Sequence, residues 1–330
     1  YQIADAMRSG YFWDYGPFEY WDLLGFEKGL EMASSQGLKL PDWIEKMKKI
    51  NASSFYIYEN GEKKYFNIQT EKYESIPGSE SIIILDSFRE NKPVIKNSEC
   101  TVHDIGEGVL CLEFRSKSNS LGDGIIKAID EAISIAEEGK WKGIVIGNNA
   151  KQFCVGANLM GIGMFAMQKK FDDLHKMVAG FQQVMMRIRT SKIPVVAATQ
   201  GYVFGGGCEI AMHCDAGIYA AESYIGLVEV GVGLLPAGGG TKEFALRISD
   251  SFFEGDVKIP TLIDHFKSIA TASVATSAHQ AFDLHYLNPE RDFVCYNTPQ
   301  NIAIAKEKVI ELSKNYIAPS VKSDIQVLGR

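Results

Sequence analysis

The chain has 330 residues, 46% of them hydrophobic and 23% charged, enough to bury a sizeable core and too apolar for a disordered chain. Its net charge is −7 with no long basic block, which argues against a nucleic-acid partner. No apolar run approaches the roughly 20 residues needed to span a bilayer, and no signal-peptide pattern opens the chain. The six cysteines (Cys100, Cys111, Cys154, Cys208, Cys214, Cys295) are scattered without a CxxC pair, and read as reduced thiols rather than as a disulfide frame or a zinc site. The chain opens at Tyr1 in mid-pattern and ends abruptly at Gly329-Arg330, and is expected to be part of something longer.

The first fifty residues read as helical. One helix is predicted over 1–9, broken by Gly10, a second over 18–32, and a third from Pro41 to Ile50 with the proline at a helix-start position. Tyr11, Phe12, Trp13, Tyr15, Phe18, Tyr20 and Trp21 make this region dense in aromatics, which reads as a small helical core rather than an aromatic ligand box. Residues 55–68 read as a β-hairpin turning at Asn60-Gly61. Residues 69–96 are polar and read as an irregular linker. The predicted organisation is thus a helical segment over 1–54, a hairpin and linker over 55–96, and a main domain over 97–330.

From about residue 98 strands and helices alternate. Strands are predicted at 108–114, 143–147, 194–198 and 216–220, and helices at 122–138, 171–190, 208–214 and from Thr241 onward. Gly143-Ile-Val-Ile-Gly147 is apolar throughout, the composition of a strand buried on both faces. The alternation predicts an α/β domain.

Two small-residue turns follow apolar strands. Phe153-Cys154-Val155-Gly156-Ala157-Asn158 comes after the strand at 143–147, and Gly205-Gly206-Gly207 leads from Gly201-Tyr-Val-Phe204 into a helix. Either alone reads as a tight loop; two together, at strand ends, point to a shared ligand site. A helix start offers unpaired N–H groups to an anion or a polarised carbonyl. Glu209, one turn inside that helix, reads equally as a surface glutamate at a helix N-terminus or as a pocket group in an apolar helix. Glu229 stands alone in Gly226-Leu-Val-Glu-Val-Gly-Val-Gly233, where a carboxylate is costly unless it is used. Oxyanion donors beside two carboxylates predict acid–base chemistry next to a carbonyl. The run Pro236–Lys242 lacks phosphate-loop spacing, and no GxGxxG follows a first strand, so dinucleotide binding has no support. His213 reads as a core or edge histidine. No His or carboxylate cluster has metal-ligand spacing.

In order along the chain, Phe153–Asn158, Gly201–Glu209, Cys214-Asp215, Glu229 and Leu235-Pro-Ala-Gly-Gly-Gly-Thr241 resemble the enoyl-CoA hydratase/isomerase (crotonase) superfamily over about residues 98–295. The resemblance implies a crotonase-like ββα spiral. It implies that Val155 and Gly206 supply the oxyanion-hole N–H groups, and that Glu209 and Glu229 are the two catalytic glutamates of a hydratase. Val155, Gly156, Ala157, Asn158 and Gly206 would contact the CoA thioester, with the missing side chain of Gly206 making room for it. Asn158 departs from the family's usual Asp, and the polar stretch 249–264 looks like an insertion. The segment Met7–Asp22 resembles the end of a 3-hydroxyacyl-CoA dehydrogenase. The implied parent is a bacterial-like cytoplasmic dehydrogenase–hydratase fusion of fatty-acid β-oxidation, acting alone or as a homo-oligomer or complex. NAD would belong to the upstream half, and this portion would need no cofactor beyond its acyl-CoA substrate. A Δ3-Δ2-enoyl-CoA isomerase, which needs one carboxylate, and a non-catalytic assembly module are the alternatives.

Overall fold

The computed structural model describes residues 1–59, 61–89, 91–326 and 328. Within them the chain forms two compact units, 1–90 and 91–330.

The first unit opens with four helices, α1 (Gln2–Tyr11), α2 (Pro17–Leu24), α3 (Phe26–Ser35) and α4 (Trp43–Lys49). The single helix predicted over 18–32 is two. Gly25 takes φ 93°, which a helix interior does not, and it ends α2 while starting α3. Gly10 does not break α1, because the helix runs one residue beyond it. Three antiparallel strands follow, β1 (Tyr56–Glu59), β2 (Glu62–Asn67) and β3 (Lys72–Ser75). The third strand lies where an irregular linker was expected. Its alternation is masked by charge, with no apolar face to signal it. Asn60, half of the predicted turn, lies outside the described residues, as do Gly329 and Arg330. The sheet belongs with the helices: Asp22 accepts the N–H groups of Phe55 and Tyr56 at 2.7 and 2.9 Å. The rings of Phe18, Trp21, Phe26 and Trp43 surround Phe55 at 4.9 to 5.8 Å. That is the helical core expected of Phe18 and Trp21. Tyr11, Phe12, Trp13, Tyr15 and Tyr20 are instead exposed.

The second unit is α/β, as the alternation predicts. Its strands are β4 (Ile95–Lys96), β5 (Cys100–Asp104), β6 (Val109–Phe114), β7 (Gly143–Gly147), β8 (Val195–Thr199), β9 (Tyr202–Phe204), β10 (Ala216–Ala220), β11 (Tyr224–Gly226) and β12 (Asp292–Cys295). Its helices are α5 (Asp123–Glu137), α6 (Leu159–Met167), α7 (Phe171–Arg189), α8 (Gly206–His213), α9 (Gly240–Ser251), α10 (Lys258–Ala270), α11 (Ala278–Asp283) and α12 (Asn301–Ser313). Seven strands form one sheet in the order β12-β10-β8-β7-β6-β5-β4, parallel from β6 to β12 and antiparallel at β4 and β5. Leu110, Leu112, Ile144, Ile146, Val195 and Ala197 face a core shared with α5. Beneath the other face runs α12, so close that a β-carbon at Gly147 would lie 3.5 Å from Ile302 Cγ1. Cover on both faces explains why the central strands are apolar throughout. The stretch 249–264 is the end of α9, a turn and the first half of α10.

A second, two-stranded parallel sheet, β9–β11, stands apart from the main one. Backbone bonds tie the chain around Cys154 to β9: Cys154 N–H donates to Tyr202 O at 2.9 Å, and Phe204 N–H to Cys154 O at 3.0 Å. This small sheet brings the two small-residue turns together.

Candidate active site

The site is built at the start of α8. Gly205, the residue before the helix, has φ 50° and ψ −123° and donates its N–H to Gly226 O at 2.9 Å. The helix begins at Gly206, two residues earlier than the sequence predicts. Gly206 N–H is therefore one of the N–H groups that a helix start leaves without an intrahelical acceptor. Opposite it lies the turn 154–158. A β-carbon at Gly156, φ 102°, would lie 3.2 Å from Phe204 O and 3.7 Å from Gly206 N, so the two backbones abut. Gly156 O accepts Leu121 N–H at 2.9 Å and Leu121 O accepts Asn158 N–H at 3.0 Å, which pins the turn on both sides. Neither Val155 N–H nor Gly206 N–H donates to a partner among the described residues. Ala157 is half-buried and forms an isolated parallel bridge with Leu121, and Asn158 Oδ1 caps α6 by accepting Met160 N–H at 3.1 Å.

A β-carbon at Gly206 would meet Leu121 Cδ1 at 2.8 Å and Phe181 Cζ at 3.1 Å. The space beside Gly206 is therefore filled by protein side chains. This corrects the expectation that the absent side chain leaves room for ligand.

All eight residues of α8 are buried, Glu209 included at 2% exposure. Its Oε1 accepts Gly240 N–H at 2.8 Å. Burial raises its pKa, while backbone hydrogen bonds from Gly240, Gly239 and Gly238 pull the other way. The glycine run Gly238–Gly240, which carries no phosphate-loop spacing, thus serves as a cradle for a carboxylate at the start of α9. Sequence reasoning missed this; the signal available was three glycines at a helix start, the same one that was read as a ligand site at Gly205–Gly207.

Glu229 opens a short 3-10 turn (Glu229–Val232) three residues past β11. Its Oε1 lies 3.2 Å from where a β-carbon at Gly205 would be. Its Oε2 is buried with no partner among the described residues. Its pKa is pushed up to about 8, first by burial and then by the charge of Glu209. The two carboxylates thus feel one another across the start of α8, and a proton shared by the pair rests more readily on Glu229, which has fewer donors facing it.

The six cysteines are all free and buried. Among the described residues no group of three or more His, Cys, Asp or Glu side chains is placed to hold a metal, and no helix is long and apolar enough to cross a membrane.

Residues 104–256 match the enoyl-CoA hydratase/isomerase family. That match covers one domain, a little under half of the chain. It is 37% identical over 328 residues, 99% of its own length, to a Bacillus subtilis (strain 168) protein named a probable 3-hydroxyacyl-CoA dehydrogenase, of which it spans 41%. It is 33% identical over 146 residues, 44% of its length and 48% of the relative's, to the mitochondrial enoyl-CoA hydratase of Pongo abelii. The fold matches an enoyl-CoA hydratase from Polaromonas sp. JS666 with a TM-score of 0.53 at 22% identity, covering 65% of this chain and 77% of that one. The second unit is therefore a crotonase fold, preceded by a helical portion.

Proposed function

We propose that the chain adds water to a trans-2-enoyl-CoA to give a 3-hydroxyacyl-CoA. The observation that carries this reading is the pair Glu209 and Glu229, electrostatically coupled on either side of a helix start whose first N–H is unspent. The thioester oxygen accepts the N–H groups of Val155 and Gly206, which draws electron density from C3 and stabilises an enolate. Removing one such donor typically costs ~10²–10³ in rate. Glu209, which accepts Gly240 N–H and whose charged form the amides of Gly239 and Gly238 also favour, is the carboxylate that takes a proton from water as the oxygen bonds to C3. Glu229, whose pKa is raised to about 8, holds the proton delivered to C2. The water oxygen ends on C3 as hydroxyl, and the C2–C3 double bond becomes single. These are additions and proton transfers, chemistry that calls for no redox partner.

The place of this domain in a longer dehydrogenase–hydratase protein of β-oxidation, with NAD bound upstream, belongs to the same proposal. Its support is the dehydrogenase-named relative that the chain matches along 99% of its length.

The test is crotonyl-CoA with the purified chain, followed by absorbance of the conjugated thioester. Loss of the band with formation of 3-hydroxybutyryl-CoA supports the reading. An unchanged band, or conversion only of a 3-enoyl-CoA to its conjugated isomer, would overturn it.

A further inference from the structure

His213 closes α8, four residues after Glu209, and is 1% exposed. Its Nδ1 lies 2.6 Å from the main-chain oxygen of Glu209, an acceptor, so Nδ1 carries the proton and donates. Nε2 faces Glu243 Oε1 at 3.4 Å and has no hydrogen-bond partner among the described residues. An ionised carboxylate there favours a charged ring, but burial wins and pushes the histidine down to about 3. Lys242 and Arg189 press the same way, and both are paired with Glu243, at 2.7 and 2.6 Å. His213 is therefore neutral in the folded protein.

The ring also meets the glycine cradle. A β-carbon at Gly239 would lie 2.6 Å from His213 Cε1 and 2.8 Å from Nε2. Gly239 has φ 144°, a backbone that depends on glycine. It is the middle residue of a run that lines the Glu209 carboxylate: Gly240 donates its N–H to Oε1, a β-carbon at Gly238 would lie 2.4 Å from Oε2, and the amides of all three favour the charged form. The imidazole thus touches Glu209 twice, through its carbonyl and through the backbone that binds its side chain.

We propose that His213 is a positioning residue: a neutral wedge that holds the amides of Gly238–Gly240 on the Glu209 carboxylate and fixes the main chain at Glu209. The proposal rests on the hydratase reading of Glu209. Without the wedge the cradle has a void behind Gly239 into which it can relax, and each lost donor raises the pKa of Glu209. Glu229 is the titratable group coupled to Glu209, while Glu243, Lys242 and Arg189 face the histidine. A histidine that merely fills the core would change stability and leave the ionisation of Glu209 where it is.

The experiment compares the full chain with His213→Ala, His213→Asn and His213→Gln. Steady-state kinetics with crotonyl-CoA run over roughly pH 5 to 9, with thermal unfolding and the titration of the Glu209 carboxyl carbon, assigned against Glu209→Gln, on the same samples. In His213→Ala, kcat should fall about tenfold or more with KM nearly unchanged, and the acid limb should move to higher pH with the Glu209 midpoint. Glutamine, which reaches both the Glu209 carbonyl and Gly239, should restore most of both. Asparagine keeps a donor but is too short to cover Gly239, so it should resemble alanine, and it carries the test if the alanine variant does not fold. An unmoved Glu209 midpoint in folded variants overturns the proposal, whatever happens to the melting temperature. If the wild-type chain does not hydrate crotonyl-CoA, the hydratase reading fails, and the carboxyl titration still decides the role of His213.

Discussion

Glu229 and Gly205 press against each other. A β-carbon on Gly205 would stand 3.2 Å from Glu229 Oε1, at a residue whose φ of 50° and ψ of −123° already call for glycine. Backbone strain of this kind costs of order 1–3 kcal/mol, and the added carbon would push the carboxylate from its place. Gly205→Ala should therefore lower the melting temperature and reduce crotonyl-CoA turnover by a factor of ~10². A variant that melts lower yet turns over normally would show that Glu229 tolerates displacement.

The two glutamates should be separately indispensable. Glu209→Gln and Glu229→Gln should each cut hydration by ~10² or more with the fold retained, since a positioned acid or base contributes about that much. Circular dichroism checks the fold and the enoyl absorbance checks the rate. Near-normal turnover in either variant removes that residue from the mechanism.

Burial of Glu229 makes stability depend on pH. Its folded pKa, about 8, lies above the unfolded 4.5, so the native state binds the proton more tightly. Ionising the group in the folded protein is penalised, so stability declines as pH rises from 4.5 and levels off above about 8. Glu229→Gln lacks this loss. Its melting temperature should gain on the wild type between about pH 5 and 8.5 and match it most nearly at the acid end. Over the same range wild-type turnover should fall above about pH 8 as the acid loses its proton.

Glu243 works in the opposite sense. Burial alone would raise its pKa, but Arg189, His213 and Lys242 bring it down to about 2. A depressed carboxyl contributes stability above its unfolded pKa and loses it as pH falls towards the folded value. Glu243→Gln leaves Arg189 and Lys242 without their anion and should cost about 2–3 kcal/mol at neutral pH, read from denaturant midpoints. The cost should shrink in acid, where the wild type also loses the charge.

Much of the second unit was legible because its strands are buried on both faces and its helices are amphipathic. Gly143–Gly147 and Ala216–Ala220 need no tertiary knowledge to read. Cys100–Asp104 escaped because its buried side chains are partly polar: Thr101 and His103 are 3% and 2% exposed, and His103 meets Glu113 of β6 at 3.0 Å. A polar pair satisfied across two strands leaves no hydrophobic alternation to find. Helix α6 escaped for another reason, since it buries none of its residues and has no face to read. At the site, the two glycine turns and both glutamates were visible as local motifs. The cradle at Gly238–Gly240 was not, because its partner, Glu209, lies some thirty residues earlier and the bond between them exists only in the folded chain.

The small sheet β9–β11 sets the spacing of the two acids. Phe204 pairs with Gly226, and from that rung the chain runs five residues to Glu209 on one side and three to Glu229 on the other. Distance along those two short paths is counted in residues, not adjusted by packing. The connection over 221–223 lies on the far side of the ladder, so a residue added there leaves the rung, and the acids, where they are. One added at 227 or 228 shifts one carboxylate against the other by the length of a residue. Reading frames of this kind make the site tolerant of change in sequence and intolerant of change in length, and they mark where a loop graft can be attempted and where it cannot.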